Sequence, residues 1–379
     1  MRLALTDEQQ MIQTMAREFA EAEVRPIAAE IDREARFPHE TVKRMGELGL
    51  MGIAVPERWG GAGGDTVAYV VALEEIARAC ASHAVIMSVN NSLYADPVLT
   101  HGTDAQRERF LRPVVSGHAQ GCFALTEPQA GSDASNQTTT AVRDGDAYVL
   151  TGRKLFITNG REAAFALVFA QTDRDRGRRG ITAFVVEKGT PGFTASKTED
   201  KLGIRASDTA ELVLEACRVP ATHRLGEEGE GFRIAMRALD GGRIGIAAQA
   251  VGIAQGAFAR SVAYARERRA FGVPIGEHQM VQWMLADMAT TIEGARLLTL
   301  RAAALKDAGR AYGTAAAMAK LFAAETAMKV TTDAVQVHGG YGYIREYEVE
   351  RHFRDAKITQ IYEGTSQIQK LVIAREVLR

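Results

Sequence analysis

The sequence predicts an α+β multidomain fold in three parts, α, then β, then α. Three observations carry this. Apolar residues recur at helical spacing through the first third of the chain. Near residue 121 the pattern becomes short runs rich in Val, Phe, Thr and Ile. From Gly229 it becomes long helical stretches of the kind that pack as an antiparallel bundle. A chain of 379 residues is too long for one ordinary core and fits two or three domains. The expected boundaries are 1–120 for an N-terminal α-helical domain, 121–226 for a middle β-barrel or sandwich domain, and 227–379 for a C-terminal bundle of four-helix type.

In order along the chain, Thr6 and Gln9 form a capping box, followed at helical spacing by Met11, Met15, Phe19, Val24, Ile27 and Ile31. Further helices are expected over 40–48, 65–81, 84–100 and 104–115. The glycine-rich stretch 56–64 is not a phosphate loop. No Lys-Ser/Thr follows it, and Gly61 and Gly63 are not completed by a third glycine at dinucleotide spacing. It reads as a lid or a plain connector. Seven strands are expected at 121–126, 137–143, 147–157, 165–172, 181–187, 193–199 and 210–219, with Asp144-Gly145-Asp146 as a hairpin turn. The basic loop 173–179 is either solvated or a weak clamp on a ligand phosphate. The remaining helices are expected over 230–268, 277–308, 313–337, 345–356 and 366–378, with 266–274 breaking the first from the second.

Composition narrows the function. With 46% hydrophobic residues, 25% charged residues and a net charge of −1, nothing in the bulk charge points to nucleic acid or a membrane surface. The cysteines Cys80, Cys122 and Cys217 are far apart, with no metal-ligand spacing, and fit a reducing compartment. No transmembrane run or secretory signal is seen, which predicts a cytoplasmic protein.

One stretch stands out, Gln360-Ile361-Tyr362-Glu363-Gly364-Thr365-Ser366-Gln367. Glu363 sits among apolar and aromatic neighbours. A carboxylate in such a place is either paired with a cation or kept for proton transfer. Gly364 lets the chain bend, and Ser366 with Gln369 reads as a capping box for the last helix. A proton-handling group and a helix N-terminus suited to phosphate would then lie side by side. The plain alternative is a helix–turn–helix linker with a surface glutamate.

Four motifs occur in order: Thr126-Glu127-Pro128-Gln129-Ala130-Gly131-Ser132-Asp133, Phe156-Ile157-Thr158-Asn159, Gln336-Val337-His338-Gly339-Gly340-Tyr341-Gly342 and Tyr362-Glu363-Gly364-Thr365-Ser366. Together they resemble the acyl-CoA dehydrogenase family, FAD enzymes that desaturate acyl-CoA thioesters. The resemblance spans essentially the whole chain, including the α–β–α layout. The stretches 86–94 and 242–249 look closer to its short-chain, butyryl-CoA, members. Some other members carry the base on the first long C-terminal helix, where the matching residue here is Gly242, which has no side chain to serve.

The resemblance implies a mechanism and a site. Glu363 would take the α proton while a hydride passes from the β carbon to flavin N5, giving a trans-2-enoyl-CoA. The thioester oxygen would be held by the backbone N–H at the base and by a flavin ribityl hydroxyl. Phe123, Leu125 and Thr126 would line one side of the flavin, with Thr158 reaching toward N5. Phe156 stands where a Trp is commoner, and Gln129 where Gly is usual. Arg268, Gln336, Gly339 and Gly340 would reach the FAD of a neighbouring subunit, with Phe271 and Gln279 helping to form that site. Thr365 and Gln367 would lie near its diphosphate and adenosine part. Ser132, which also borders the cofactor, would hold the CoA moiety with Asp240 and Arg243, and Tyr362 and Gly364 would flank the thioester. Gln249 and Thr359 match the short-chain pattern and Gln360 the medium-chain one. Acyl chains of about four to six carbons are expected, with overlap beyond, because a methylene discriminates by only about 1–3 kcal/mol.

Plainer roles stand beside these: core aromatics for Phe123 and Phe156, a turn former for Thr126, a surface salt bridge for Arg268, a helix stop for Gly339 and Gly340, and an i, i+3 pair for Arg243 with Asp240. The implied partners are acyl-CoA, an electron-transferring flavoprotein and further copies of the chain as a dimer of dimers, with no nucleic acid or membrane. A bacterial-type cytoplasmic chain is expected, or a mature matrix enzyme if the source is eukaryotic. The other readings are a short branched-chain dehydrogenase, an acyl-CoA oxidase, a flavin-bearing DNA-binding protein of the same fold, and a helical scaffold without activity.

Overall fold

The structure, a computed structural model, describes residues 4–378. The first three residues of the expected N-terminal domain and the last of the C-terminal one lie outside the described residues.

The N-terminal part is helical: α1 (Asp7–Phe19), α2 (Ala28–Glu34), α3 (His39–Glu47), α4 (Thr66–Ala79), α5 (Ala81–Ser88), α6 (Asp96–His101), α7 (Asp104–Gln106) and α8 (Arg112–Val115). The Thr6–Gln9 capping box closes reciprocally, at 3.2 Å from Gln9 N to Thr6 Oγ1 and 3.0 Å from Thr6 N to Gln9 Oε1. Met11 departs from its expected place on the core face and is 69% exposed. The buried stripe of α1 is Gln9, Ala16 and Phe19, and Met11 lies off it. The helix expected over 84–100 is present but passes through a π-helical turn, Val89–Ala95. That turn buries Asn90 and Asn91. Asn91 Oδ1 accepts from Ile53 N at 3.0 Å, and Asn90 Oδ1 accepts from Gly121 N at 3.1 Å. These two side chains tie the turn that precedes the glycine-rich connector and the first strand to the helices. Within the connector, a Cβ on Gly61 would meet Val55 O at 2.2 Å, so the loop folds tightly onto itself.

The strands are β1 (Gly121–Ala124), β2 (Thr140–Asp144), β3 (Ala147–Thr158), β4 (Phe165–Gln171), β5 (Ile181–Glu187), β6 (Phe193–Thr198), β7 (Thr209–Pro220) and the short β8 (Arg224–Leu225). They form one connected sheet in the order β6-β7-β3-β2-β4-β5-β8, with β1 parallel to β4. Alternation sends the side chains of β1, β4 and β5 to two cores. In β4, Ala166, Val168 and Ala170 join a core inside the β domain, while Leu167 and Phe169 join the helical core.

The C-terminal part holds α9 (Gly231–Glu267), a two-stranded ribbon β9 (Arg269–Ala270) and β10 (Val273–Pro274), then α10 (Gln279–Asp307), α11 (Gly313–His338), α12 (Val349–Thr359) and α13 (Ser366–Val377). Both helical parts share one core. Small residues on α9 permit this. A Cβ on Gly252 would meet Glu74 O at 2.4 Å, and one on Gly245 the Tyr69 hydroxyl at 2.5 Å. The Glu363 bend between α12 and α13 is thereby set against helices from both ends of the chain.

Candidate active site

Glu363 lies between α12 and α13 in a left-handed conformation, φ 52°, and Gly364 follows at φ 91°. A non-glycine residue there carries strain, so other contacts must hold it. The Gly364 carbonyl accepts from Lys320 Nζ at 2.7 Å and from Gln369 Nε2 at 2.8 Å. The cap of α13 differs from expectation. Thr365, not Ser366, has the extended cap backbone and accepts from Ile368 N at 3.2 Å. Ser366 is the first helical residue and donates to Glu325 Oε1 at 2.8 Å. Gln369 does turn back, but to the carbonyls of Glu363 and Gly364.

The Glu363 carboxylate points at α9. Its Oε2 is buried without a hydrogen-bond partner. A Cβ built on Gly242 would sit 2.0 Å from that atom. The missing side chain at Gly242 is the space the carboxylate occupies. Burial lifts the Glu363 carboxyl from 4.5 to about 7, opposed by the charges of Lys320 and Arg243. Next to it, Arg243 is nearly buried and donates from Nη1 to Asp240 Oδ1 at 2.6 Å, the i, i+3 pair expected as the plain reading. Arg243 Nε is buried without a partner, a donor left over from that pair. The Tyr362 hydroxyl donates to Gln249 Oε1, and Gln249 Nε2 donates to Ala81 O at 2.9 Å. Gln249 and Thr359 are fully buried, while Gln360 is half-buried and donates to Glu325 Oε2 at 2.9 Å.

On the β domain, Phe156 is 64% exposed at φ 57°. It lies where the β3–β7 register slips between Lys154 and Ile157, so a bulge turns its ring outward. Phe123 is different: it stays in the helical core, with its ring centre 5.0 Å from that of Phe169. Leu125 is buried, Thr126 and Thr158 are half-buried, and Ser132 is exposed. The loop after Leu125 is anchored from within. Fully buried Lys154 donates from Nζ to Glu127 Oε1 at 2.7 Å and to Leu125 O at 3.2 Å. Burial alone would raise the Glu127 carboxyl, but Lys154 and the Thr138 and Thr139 donors hold it well below its ordinary value.

A third group lies on the surface. Arg268, Gly339 and Gly340 line a cavity of about 430 Å³ with Tyr264, His338 and Tyr341, and the Arg268 guanidinium lies 5.3 Å over the Tyr341 ring. Gly339 ends α11 at φ 60°. Gln336, Gln279 and Gln367 are exposed, and Phe271, at the tip of the β9–β10 ribbon, is 97% exposed. This cavity's lining includes none of Glu363, Thr126 or Thr158.

The chain therefore brings Glu363, Tyr362, Gly364, Gln249, Arg243 and Asp240 together, and holds the Arg268 group apart. Sequence reasoning missed Lys320 and Glu325, which reach the bend from α11. The available signal was a single lysine inside the apolar run 315–324. No group of His, Cys, Asp and Glu suited to a metal is present among the described residues, and none of their helices is long and apolar enough to cross a membrane.

Comparison with known proteins follows the same three parts. Residues 6–118 match the acyl-CoA dehydrogenase N-terminal domain, 122–217 the middle domain and 229–378 the C-terminal domain. The chain is 54% identical over 375 residues to the short-chain specific acyl-CoA dehydrogenase of Clostridium acetobutylicum, covering 99% of each. It superposes on butyryl-CoA dehydrogenase from Megasphaera elsdenii with a TM-score of 0.99 at 48% identity, covering 100% of both chains. It superposes equally well, TM-score 0.99 at 52% identity and 100% coverage of both, on a chain in a structure of the electron transferring flavoprotein of Acidaminococcus fermentans. With this fold, this carboxylate and these full-length matches, the chain belongs to the acyl-CoA dehydrogenase family, FAD-dependent oxidoreductases.

Proposed function

We propose that this acyl-CoA dehydrogenase acts on short-chain acyl-CoA thioesters, with Glu363 as the general base. The observation that carries this is the buried, unpartnered Glu363 Oε2 lying where Gly242 has no side chain. A carboxylate with one oxygen buried and uncommitted, and lifted to about 7, suits abstraction of a weakly acidic α proton near neutral pH. Tyr362 and Gln249 brace each other beside it, and the fully buried Gln249 and Thr359 limit the depth open to an acyl chain. Arg243, with its spare donor, and Asp240 are offered to the CoA moiety, as is exposed Ser132. The match to the short-chain specific relative supports the short acyl preference.

The residues present fit FAD. An outward aromatic at Phe156, half-buried Thr126 and Thr158, and the braced Leu125 backbone offer a face for the flavin ring. The N-terminus of α13, capped by Thr365 with Gln367 in its first turn, suits a diphosphate. Phe123 contributes its backbone position more than its ring, which is spent in the core. When bound, FAD supplies the hydride acceptor. The cavity of Arg268, Gly339 and Gly340, with exposed Phe271 and Gln279 nearby in sequence, is open to a second copy of the chain. This supports a shared cofactor site in a dimer of dimers. Electrons are then passed to an electron-transferring flavoprotein, a partner suggested by the Acidaminococcus structure. A cytoplasmic setting accords with the full-length bacterial relative.

Anaerobic addition of butyryl-CoA to the FAD-loaded protein is expected to bleach the flavin band, more readily than hexanoyl- or octanoyl-CoA. Failure of all three to bleach it would sink this reading, and peroxide release in air at the rate of turnover would convert it to an oxidase. The pH dependence is a second expected result. The base works deprotonated, so kcat/KM rises with pH through the free-enzyme value of Glu363, with a midpoint near 7. A midpoint close to the ordinary 4.5 would contradict the burial described above.

A further inference from the structure

Helix α11 touches the Glu363 bend with two charged side chains. Glu325 accepts from Ser366 Oγ at 2.8 Å and from Gln360 Nε2 at 2.9 Å, spanning the bend. Lys320 is 0% exposed, and its Nζ donates to Gly364 O at 2.7 Å. Among the described residues this carbonyl is its one hydrogen-bond acceptor, and no carboxylate lies within ion-pair distance of it. It is also the one charged residue in the run 315–324. A buried ammonium with so few partners is costly, so it stays only where something specific holds it or needs it.

The need is visible in the backbone. Glu363 has φ 52° and Gly364 φ 91°, a strained pair that the surroundings must over-determine. The carbonyl between them and α13 is fixed by Lys320 from one helix and Gln369 from another. Only with that bend in place does the carboxylate fall into the gap at Gly242. We propose that Lys320 is a positioning residue for Glu363: its ammonium holds the Gly364 carbonyl, fixes the left-handed bend, and places the cation that steadies the carboxylate over Gly242. This rests on the reading of Glu363 as the base.

The charged and titratable groups facing the base come from three helices and the bend itself. Lys320 faces it from α11, Arg243 from α9, and the hydroxyls of Tyr69 on α4 and of Tyr362 complete the set. Arg243 is already bound to Asp240, and Glu325 is the other carboxylate facing Lys320. Burial lowers the Lys320 ammonium to about 8, opposed by Glu363, so the two groups stabilise each other's charged forms near neutral pH.

The test compares FAD-loaded wild type, Lys320→Met and Lys320→Arg. FAD content, the rate of anaerobic bleaching by butyryl-CoA and its pH dependence are read for each. Lys320→Met is expected to retain FAD, to bleach about 10-fold or more slowly at saturating substrate, and to shift the rising limb upward by about one pH unit. Lys320→Arg is expected to bring the limb back toward wild type. Should Lys320→Met fail to fold, Lys320→Gln, which keeps a donor and loses the charge, reads the same midpoint. A neutral variant with the wild-type midpoint overturns the proposal, because a purely structural lysine would not move it. If wild type itself does not bleach, the base reading fails and this one with it. If wild type bleaches, Glu363→Gln does not, and Lys320→Met matches wild type, only the role of Lys320 fails.

Discussion

Glu363→Gln is expected to leave a yellow, FAD-loaded protein that butyryl-CoA no longer bleaches. The substitution keeps the shape of the side chain and the bend, and removes only the proton acceptor. A positioned general base contributes about 10²–10⁴-fold, and the single-turnover bleaching rate should fall by that amount. Retention of more than about a tenth of the wild-type rate would mean that another group takes the α proton. A second readout follows from linkage. The unfolded carboxyl titrates near its ordinary 4.5 and the folded one near 7. Between these values the native protein holds a proton that the unfolded chain has released, so Glu363 makes stability fall as pH rises through that window. Glu363→Gln removes this slope. The variant should gain thermal stability relative to wild type at pH above 7, and not below 4.5. Loss of stability at both ends would show that the carboxylate serves structure instead of chemistry.

Gly242→Ala is expected to be nearly as damaging to turnover, through one methyl group. Its Cβ would lie 2.0 Å from Glu363 Oε2 and 2.8 Å from Leu93 Cδ2. The bend cannot retreat freely, because Lys320 and Gln369 hold the Gly364 carbonyl. The carboxylate must therefore swing, and a misplacement of about 1 Å costs on the order of 10²-fold in rate. Stability is pulled both ways, since Ala in place of Gly inside a helix stabilises it by about 1 kcal/mol while overpacking costs about 1–3 kcal/mol. Melting temperature is thus a poor readout, and the bleaching rate at saturating butyryl-CoA is the one to follow. A rate within about threefold of wild type would show that the base does not depend on the space at Gly242.

Much of this is legible in the sequence. The strand runs between 121 and 219 and the long helices after 229 follow from periodicity, which is a local property of the chain. Glu363 was legible too, as a lone carboxylate in an apolar bend within a family motif. Gly242 was legible only in part. Its identity ruled it out as a base, but nothing in the sequence shows that its missing side chain holds the carboxylate of a residue 121 positions later.

Other features turned on contacts that no local pattern encodes. Phe123 and Phe156 look alike as aromatics in β runs. One packs on Phe169, and a register slip turns the other outward. Thr365 and Ser366 are both good caps, and the choice was made by Glu325, which takes the Ser366 hydroxyl. Met11 fits the helical period but lies off the buried stripe, because the stripe is set by what α1 packs against. What the sequence alone determined is the order of the elements and the residue proposed as the base. What only the tertiary structure decided is how that base is held: the gap at Gly242, and the buried Lys320 on the carbonyl that follows the bend. The reason is physical. Propensity and periodicity act over a few residues, whereas a buried charge is placed by groups far apart in the chain that meet only once the core closes.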